Sequence, residues 1–177
     1  MLTLKTKRLT LLALDANLAR LQAEDIGAFL AHLGVAPLGN WPPEPFDDEV
    51  AFWSRDGLKQ DPQAVGWYGW LLMEDVGEAT PPRLIGAAAL IGRPDLDGEV
   101  ELGFGVLVAH QGRGFASETV AALSAWAFDS GAARVVAHVA EGHESGERAL
   151  RSNGFSQELE MPYPGVALFA RDAGAAS

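Results

Sequence analysis

The sequence predicts one mixed α/β domain whose sheet is antiparallel over most of its width. Three observations point there. The chain has 177 residues, enough for a single domain with a sizeable core. Short apolar runs recur between turn residues, as strands joined by tight connections do. One long amphipathic stretch, Arg113 to Ser130, follows such a run across a glycine-bearing turn.

From the N-terminus, Leu2 to Leu14 alternates loosely and reads as a strand ending near Asp15. Ile26, Phe29, Leu30 and Leu33 fall at helical spacing within a helix from Ala23 to Leu33, with Gly34 as its stop. Trp41-Pro-Pro-Glu-Pro45 is a loop, since proline breaks both ladders. Asp47 and Asp48 open a second helix reaching Leu58, with acidic groups at its positive end. Val65 to Met73 and Arg83 to Ile91 read as paired strands, separated by a break ending in Pro81-Pro82. Asp95 to Gly98 turns the chain into a strand over Glu99 to Val108. In the long helix, Ala116, Val120, Leu123 and Ala127 form one stripe, and Gly131 ends it. Arg134 to Ala140 is a strand, and Glu144 to Ser152 a short helix stopped by Asn153-Gly154. Phe155 to Met161 and Val166 to Ala170 close a domain spanning residues 1–172, leaving 173–177 as a frayed tail. The order is β-α-α-β-β-β-α-β-α-β-β.

Hydrophobic residues make up 48% and charged residues 21%, ordinary for a globular chain. A net charge of −11 opposes nucleic-acid binding and favours cationic partners, though solubility alone explains it. The longest apolar run, near Ile85 to Ile91, is too short to span a bilayer, and no signal peptide is read at the start. The absence of cysteine excludes disulfides and a thiol nucleophile, and is compatible with a cytoplasmic setting.

The chemically informative stretch is Glu99 to Glu118, where a strand runs into Gln111-Gly-Arg-Gly-Phe-Ala116 and then a helix. The first N–H groups of a helix have no partner within it and sit at the positive end of its dipole. They make an anion site, to which Arg113 adds a cation. An ordinary glycine turn is the plain alternative. No Gly-x-x-x-x-Gly-Lys is present, and Gly112-Arg-Gly114-Phe-Ala-Ser117 lacks the third glycine of the dinucleotide fingerprint.

Gln111-x-x-Gly114-x-Ala116 between strand and helix resembles the acetyl-CoA signature of the GNAT superfamily of N-acetyltransferases. Leu4-Lys-Thr-Lys-Arg-Leu-Thr-Leu11, Leu84-Ile-Gly86, Gly98 to Phe104 and Leu150-x-x-x-Gly154-Phe155 are similar to marks of its RimJ/RimL-like branch, the ribosomal-protein N-acetyltransferases and relatives. The resemblance spans roughly residues 2 to 170. It implies a central strand splayed from its parallel neighbour, with helices flanking the sheet. It further implies acetyl-CoA as cosubstrate, with its pantetheine arm against the backbone of Val106, Leu107 and Val108. The pyrophosphate would then meet N–H groups from Gly112, Arg113, Gly114, Phe115, Ala116 and Ser117. Gly103 and Gly105 would ease a bulge in that strand. The branch usually carries Asn and then Ser three residues on; aligned on Gly154-Phe155, those positions hold His143 and Gly146. His143 can still donate to the cofactor arm, whereas Gly146 offers no hydroxyl.

Amine acetylation needs a base for the attacking nitrogen. Glu99 and Glu101 share one face of their strand, opposite Val100, Leu102 and Phe104. The resemblance places such a glutamate beside the acceptor, and Glu101 matches best; a solvated strand edge is the alternative. Tyr163 is a conceivable acid that its spacing does not select, and the amide of Val108 could polarise the thioester oxygen. Of the tryptophans, which core packing mostly explains, Trp41 is the candidate for the acceptor pocket. The four histidines lack metal-ligand spacing, and no metal is expected.

The reading is therefore direct acetyl transfer in a ternary complex to a small-molecule amine or a protein N-terminus, with neither nucleic acid nor membrane as partner and a homodimer allowed. A non-catalytic acyl-CoA-binding module and an enzyme for a larger acyl-CoA are the rivals.

Overall fold

The structure, a computed structural model, describes residues 1–35, 41–77, 82–159 and 163–174. Its strands are β1 (Thr3–Lys5), β2 (Leu9–Ala13), β3 (Gly69–Glu74), β4 (Arg83–Leu90), β5 (Glu99–Val106), β6 (Arg134–Ala140), β7 (Ser156–Gln157) and β8 (Val166–Asp172). Its helices are α1 (Ala16–Glu24), α2 (Ile26–Leu33), α3 (Asp48–Gln60), α4 (Phe115–Asp129) and α5 (Glu144–Arg151). The strands form one sheet in the order β1-β2-β3-β4-β5-β6-β8-β7. Every neighbouring pair is antiparallel except β5 with β6.

That parallel pair is short. Glu99, Val100 and Glu101 align with Arg134, Val135 and Val136, and the pairing stops there. Beyond it β5 stays with β4 as far as Val106, while β6 stays with β8 as far as Ala140. A wedge-shaped opening follows, bounded by two strands that are each supported on their outer side.

Alternation sorts the side chains of the sheet onto two faces. Val100, Leu102, Val135, Ala137 and Val139 pack with Val120, Leu123 and Ala127 of α4. Leu12, Leu14, Leu71 and Met73 face Leu18 of α1, Phe29 and Leu30 of α2, and Leu58 of α3. Glu99 and Glu101 belong to this second face, the odd positions of β5.

Several expectations change. The single opening strand is a hairpin, β1 with β2, whose turn is fixed by Thr6 bonding the carbonyl and amide of Leu9. The helix read from Ala23 begins at Ile26, and a separate helix, α1, precedes it. Asp25 bonds backwards to the Leu21 carbonyl, and its side chain caps Ala28, so it ends α1 and starts α2. Asp15, read as a strand end, is the N-cap of α1 through Leu18. The run from Val65 joins the ladder only at Gly69, because turns occupy the residues before it. The strand read to Met161 reduces to Ser156–Gln157, and residues 160–162 lie outside the described residues. In the tail, the Ala173 amide donates to the Ala133 carbonyl at 2.8 Å and is tied down; residues 175–177 lie outside the described residues.

The expected bulge in β5 is absent. Its register with β4 is continuous from Leu102 to Val106, and the sheet's irregularity lies between Leu72 and Met73. The glycines of β5 serve another purpose. A Cβ on Gly105 would collide with the backbone carbonyl of Glu44, and one on Gly103 would touch Phe46. Residues 41–46 therefore lie as a strap across β5, anchored by Phe46 against Ala87 and Ala89.

Candidate active site

Backbone direction decides what the open edge of β5 offers. The amide of Ile91 bonds the carbonyl of Glu101, and the amide of Leu107 bonds that of Ile85 at 2.8 Å. Odd positions of β5 thus face β4, and the backbone groups of Phe104 and Val106 face the opening. Phe104 was not read from the sequence as a cofactor contact; the parity of the β4 ladder identifies it. Leu107 was expected at the pantetheine arm, but its amide is spent on Ile85 and its carbonyl accepts from His110. Val106 keeps its place, although its carbonyl already accepts from the Gln111 side chain at 2.9 Å. That bond gives Gln111 a role in holding the turn to the strand. Val108 opens a single 3₁₀ turn, Val108–His110, and is exposed.

The turn then passes through Gly112 and Gly114, at φ of 73° and 82°, where only glycine is unstrained. Gly114 is the N-cap of α4, and the first helical bond runs from the amide of Glu118 to the Gly114 carbonyl. The amides of Phe115, Ala116 and Ser117 are consequently the unpartnered donors of the first turn. They line a cavity of about 390 Å³ together with Phe104, Val106, His143 and Arg148. The open backbone edge, the free amides and this volume adjoin one another, which is the donor set a pantetheine arm ending in a diphosphate requires.

The Arg113 guanidinium, expected to add a cation here, is engaged by Glu74. It bonds Glu74 Oε1 at 2.6 Å and lies 4.8 Å from the centre of the Phe115 ring. Glu74 is only 7% exposed, so this partner is a buried charge that the arginine neutralises. A second ion pair holds the same loop from the turn between β1 and β2. Arg8 bonds both the Arg113 carbonyl and Glu118, and Glu118 also accepts from Thr6. Burial tends to raise the Glu118 carboxyl, but the bonds from Thr6 and from the Arg8 side chain and amide outweigh it, leaving its pKa below the usual value.

A carboxyl with a lowered folded pKa stabilises the fold above the ordinary glutamate range and loses that contribution as pH falls through the lowered value. Glu118→Gln is therefore expected to lower stability by about 2 kcal/mol at pH 7, the scale of charged hydrogen bonds. Thermal melts from pH 7 to pH 3 should show the wild-type and variant curves converging in acid.

α5 supplies the other wall. Asn153 donates to the carbonyl and the hydroxyl of Ser117, both at 3.0 Å, and Ser117 meets Ser152 at 2.9 Å. The hydroxyl of Ser117 is thus engaged, while its amide remains in the helix's first turn. His143 precedes α5, and its ring fills the space over Gly146, where a Cβ would approach Nδ1 to 2.5 Å. Gly146 is buried beneath this ring. Arg148, an exposed lining residue, was not singled out from the sequence, since one arginine on a short helix gives no motif.

On the opposite face of the sheet, Glu101 Oε1 lies 2.8 Å from His138 Nδ1. The Tyr163 ring is 6.1 Å from that of His138, and Tyr163 bridges to Val166. Sequence reading named Glu101 and Tyr163 but not His138, because only the parallel register with β6 brings the two strands together. Glu99 is separated from this pair: Arg134 binds it at 3.1 Å and also holds Glu158 and Asp172. Trp41 is not part of the cavity wall. It stacks on Phe29, with ring centres 6.5 Å apart, and packs against the core. Among the described residues no group of three or more acidic, histidine or cysteine side chains is placed to hold a metal, and no helix is long and apolar enough to cross a membrane.

Comparison with known proteins agrees with this geometry. A family profile described as "Acetyltransferase (GNAT) domain" matches residues 16–156. A Bacillus subtilis protein described as the uncharacterized N-acetyltransferase YjdG is 24% identical over 156 residues, 88% of this chain and 90% of the relative. A ribosomal-protein-S5-alanine acetyltransferase from Vibrio fischeri superposes with a TM-score of 0.65 at 15% identity, over 100% of both chains. A structure described as RimL, a ribosomal L7/L12 alpha-N-protein acetyltransferase in complex with coenzyme A, gives a TM-score of 0.63 at 18% identity, over 99% of this chain and 100% of that one.

Proposed function

The chain belongs to the GNAT acetyltransferase family and is an acyl-CoA-dependent acetyltransferase using acetyl-CoA, and from that premise we propose that it acetylates a primary amine by direct attack in a ternary complex. The acceptor is a protein N-terminus or a small amine. The observation that carries this reading is the separation of β5 from β6 just beyond Glu101. The opening begins where Glu101 and Val136 end the pairing, with His138 two residues further along β6, and Phe104 and Val106 further along β5 line the cavity on the α4–α5 side. The two substrates can then approach one another through the sheet from opposite faces.

In this scheme the amides of Phe115, Ala116 and Ser117 hold the diphosphate, with those of Gly112, Arg113 and Gly114 in the turn before them. The backbone of Phe104 and Val106 pairs with the pantetheine arm. His143 flanks the arm, and the Val108 amide, at the start of its 3₁₀ turn, supports the developing oxyanion. Glu101 and its partner His138 form the basic centre facing the amine. Fixing both reactants in one opening supplies the proximity on which direct transfer depends.

The test combines calorimetry with CoA and acetyl-CoA and a thiol-release assay over amines and short peptides with free N-termini. Binding of both nucleotides and turnover with at least one amine are expected. Glu101→Gln should retain binding while turnover falls tenfold or more. Binding without turnover on any amine would instead mark the chain as an acyl-CoA-binding module.

A further inference from the structure

The two members of the basic centre are not equivalent. A carboxylate only accepts hydrogen bonds, so in the contact with Glu101 Oε1 the histidine hydrogen sits on Nδ1. In the neutral ring that leaves Nε2 as the atom with a free lone pair. No hydrogen bond to Nε2 is found among the described residues, and the His138 side chain is 29% exposed, lying neither in the core nor fully in solvent. Glu101 has the opposite disposition: one of its oxygens is engaged by the ring. The arrangement is that of a base held in one tautomer by a carboxylate behind it.

Among the described residues no other ion pair reaches Glu101 or His138. Arg134, on the same face of β6 but four residues earlier, is saturated by Glu99 of β5, Glu158 after β7 and Asp172 of β8. From β8 the register partner of His138 is Leu168, which is uncharged. Tyr163 is the nearby titratable group on the far side, and it is largely exposed.

We infer that His138, through Nε2, takes the proton from the acceptor amine, and that Glu101 is the positioning residue that fixes its ring; this rests on the reading that the amine arrives on this face. The acceptor nitrogen forms a bond to the acetyl carbonyl carbon and gives its proton to Nε2. The C–S bond breaks with its electron pair going to sulfur. The thiolate is then protonated, from the imidazolium or from solvent, and the ring returns to its neutral form. Imidazole is the side chain whose charge changes nearest neutral pH, which suits it to this transfer better than a carboxylate.

The experiment measures kcat, KM and acetyl-CoA affinity for His138→Gln, His138→Ala and Glu101→Gln against pH. His138→Gln should lose roughly 10²–10³-fold in kcat, the scale of a lost general base, with acetyl-CoA affinity unchanged. Added imidazole should restore part of the turnover of His138→Ala. Glu101→Gln should lose about tenfold, less than His138→Gln, because the amide oxygen still accepts from Nδ1. A larger loss in Glu101→Gln than in His138→Gln, with no rescue by imidazole, would overturn the inference and make the carboxylate the base. His138→Gln within threefold of wild type would overturn it alone, whereas wild type silent on every amine would overturn the function on which it rests.

Discussion

Phe115→Ala is expected to destabilise the fold by about 3–5 kcal/mol, the range for deleting a buried aromatic ring, and to abolish measurable CoA binding in the same step. The residue joins the core to the cofactor turn. Its ring is 1% exposed and packs in the cluster formed by α4, β5 and β6. Its amide is one of the free donors of the first turn. Two guanidiniums, Arg8 and Arg113, lie 4.6 and 4.8 Å from the ring centre, and both of them hold the loop. Truncation would leave a void, and it would remove the surface on which the two arginines rest. Urea denaturation and calorimetry on the same preparation measure the two losses. Phe115→Leu serves as the control: it keeps most of the volume, so stability should fall much less while the amide stays in place.

Gly105→Val should act on the strap instead of the core. The new side chain would occupy the position of the Glu44 carbonyl, and backbone in that position cannot swing aside as a flexible side chain can. The strap must lift, drawing Phe46 off Ala87 and Ala89. A destabilisation of about 1–3 kcal/mol is expected, typical of overpacking. Turnover should fall at least tenfold, because Glu44 lines the cavity and the strap closes the face of β5 near the opening. Acetyl-CoA affinity should change less, since the amides of α4 are untouched. Hydrogen exchange at residues 41–46, with parallel titrations, distinguishes this result from general unfolding.

The outline of the sheet was legible wherever one period ruled one element. Arg134–Ala140 was read with its observed bounds, and Asp47 was rightly placed at the start of α3. The cofactor turn was legible because its glycines and the following helix carry a local signal. What was hidden depends on partners distant in sequence. No local pattern announces that Arg113 will neutralise Glu74, 39 residues earlier, or that His138 will meet Glu101, 37 residues away. The parity of β5, which substitutes Phe104 for Leu107 at the open edge, follows only from the register with β4. α1 escaped notice for a different reason. Its residues Ala16 to Glu24 hold only two large apolar side chains, Leu18 and Leu21, and its start is set by a single cap at Asp15.

The ring of His143 standing over Gly146 ties two unusual letters of the chain into one. A hydroxymethyl group at position 146 and this orientation of the imidazole exclude each other, since both claim the same space. A serine placed at 146 would turn the imidazole outward toward solvent, whereas the glycine leaves the room that the ring fills.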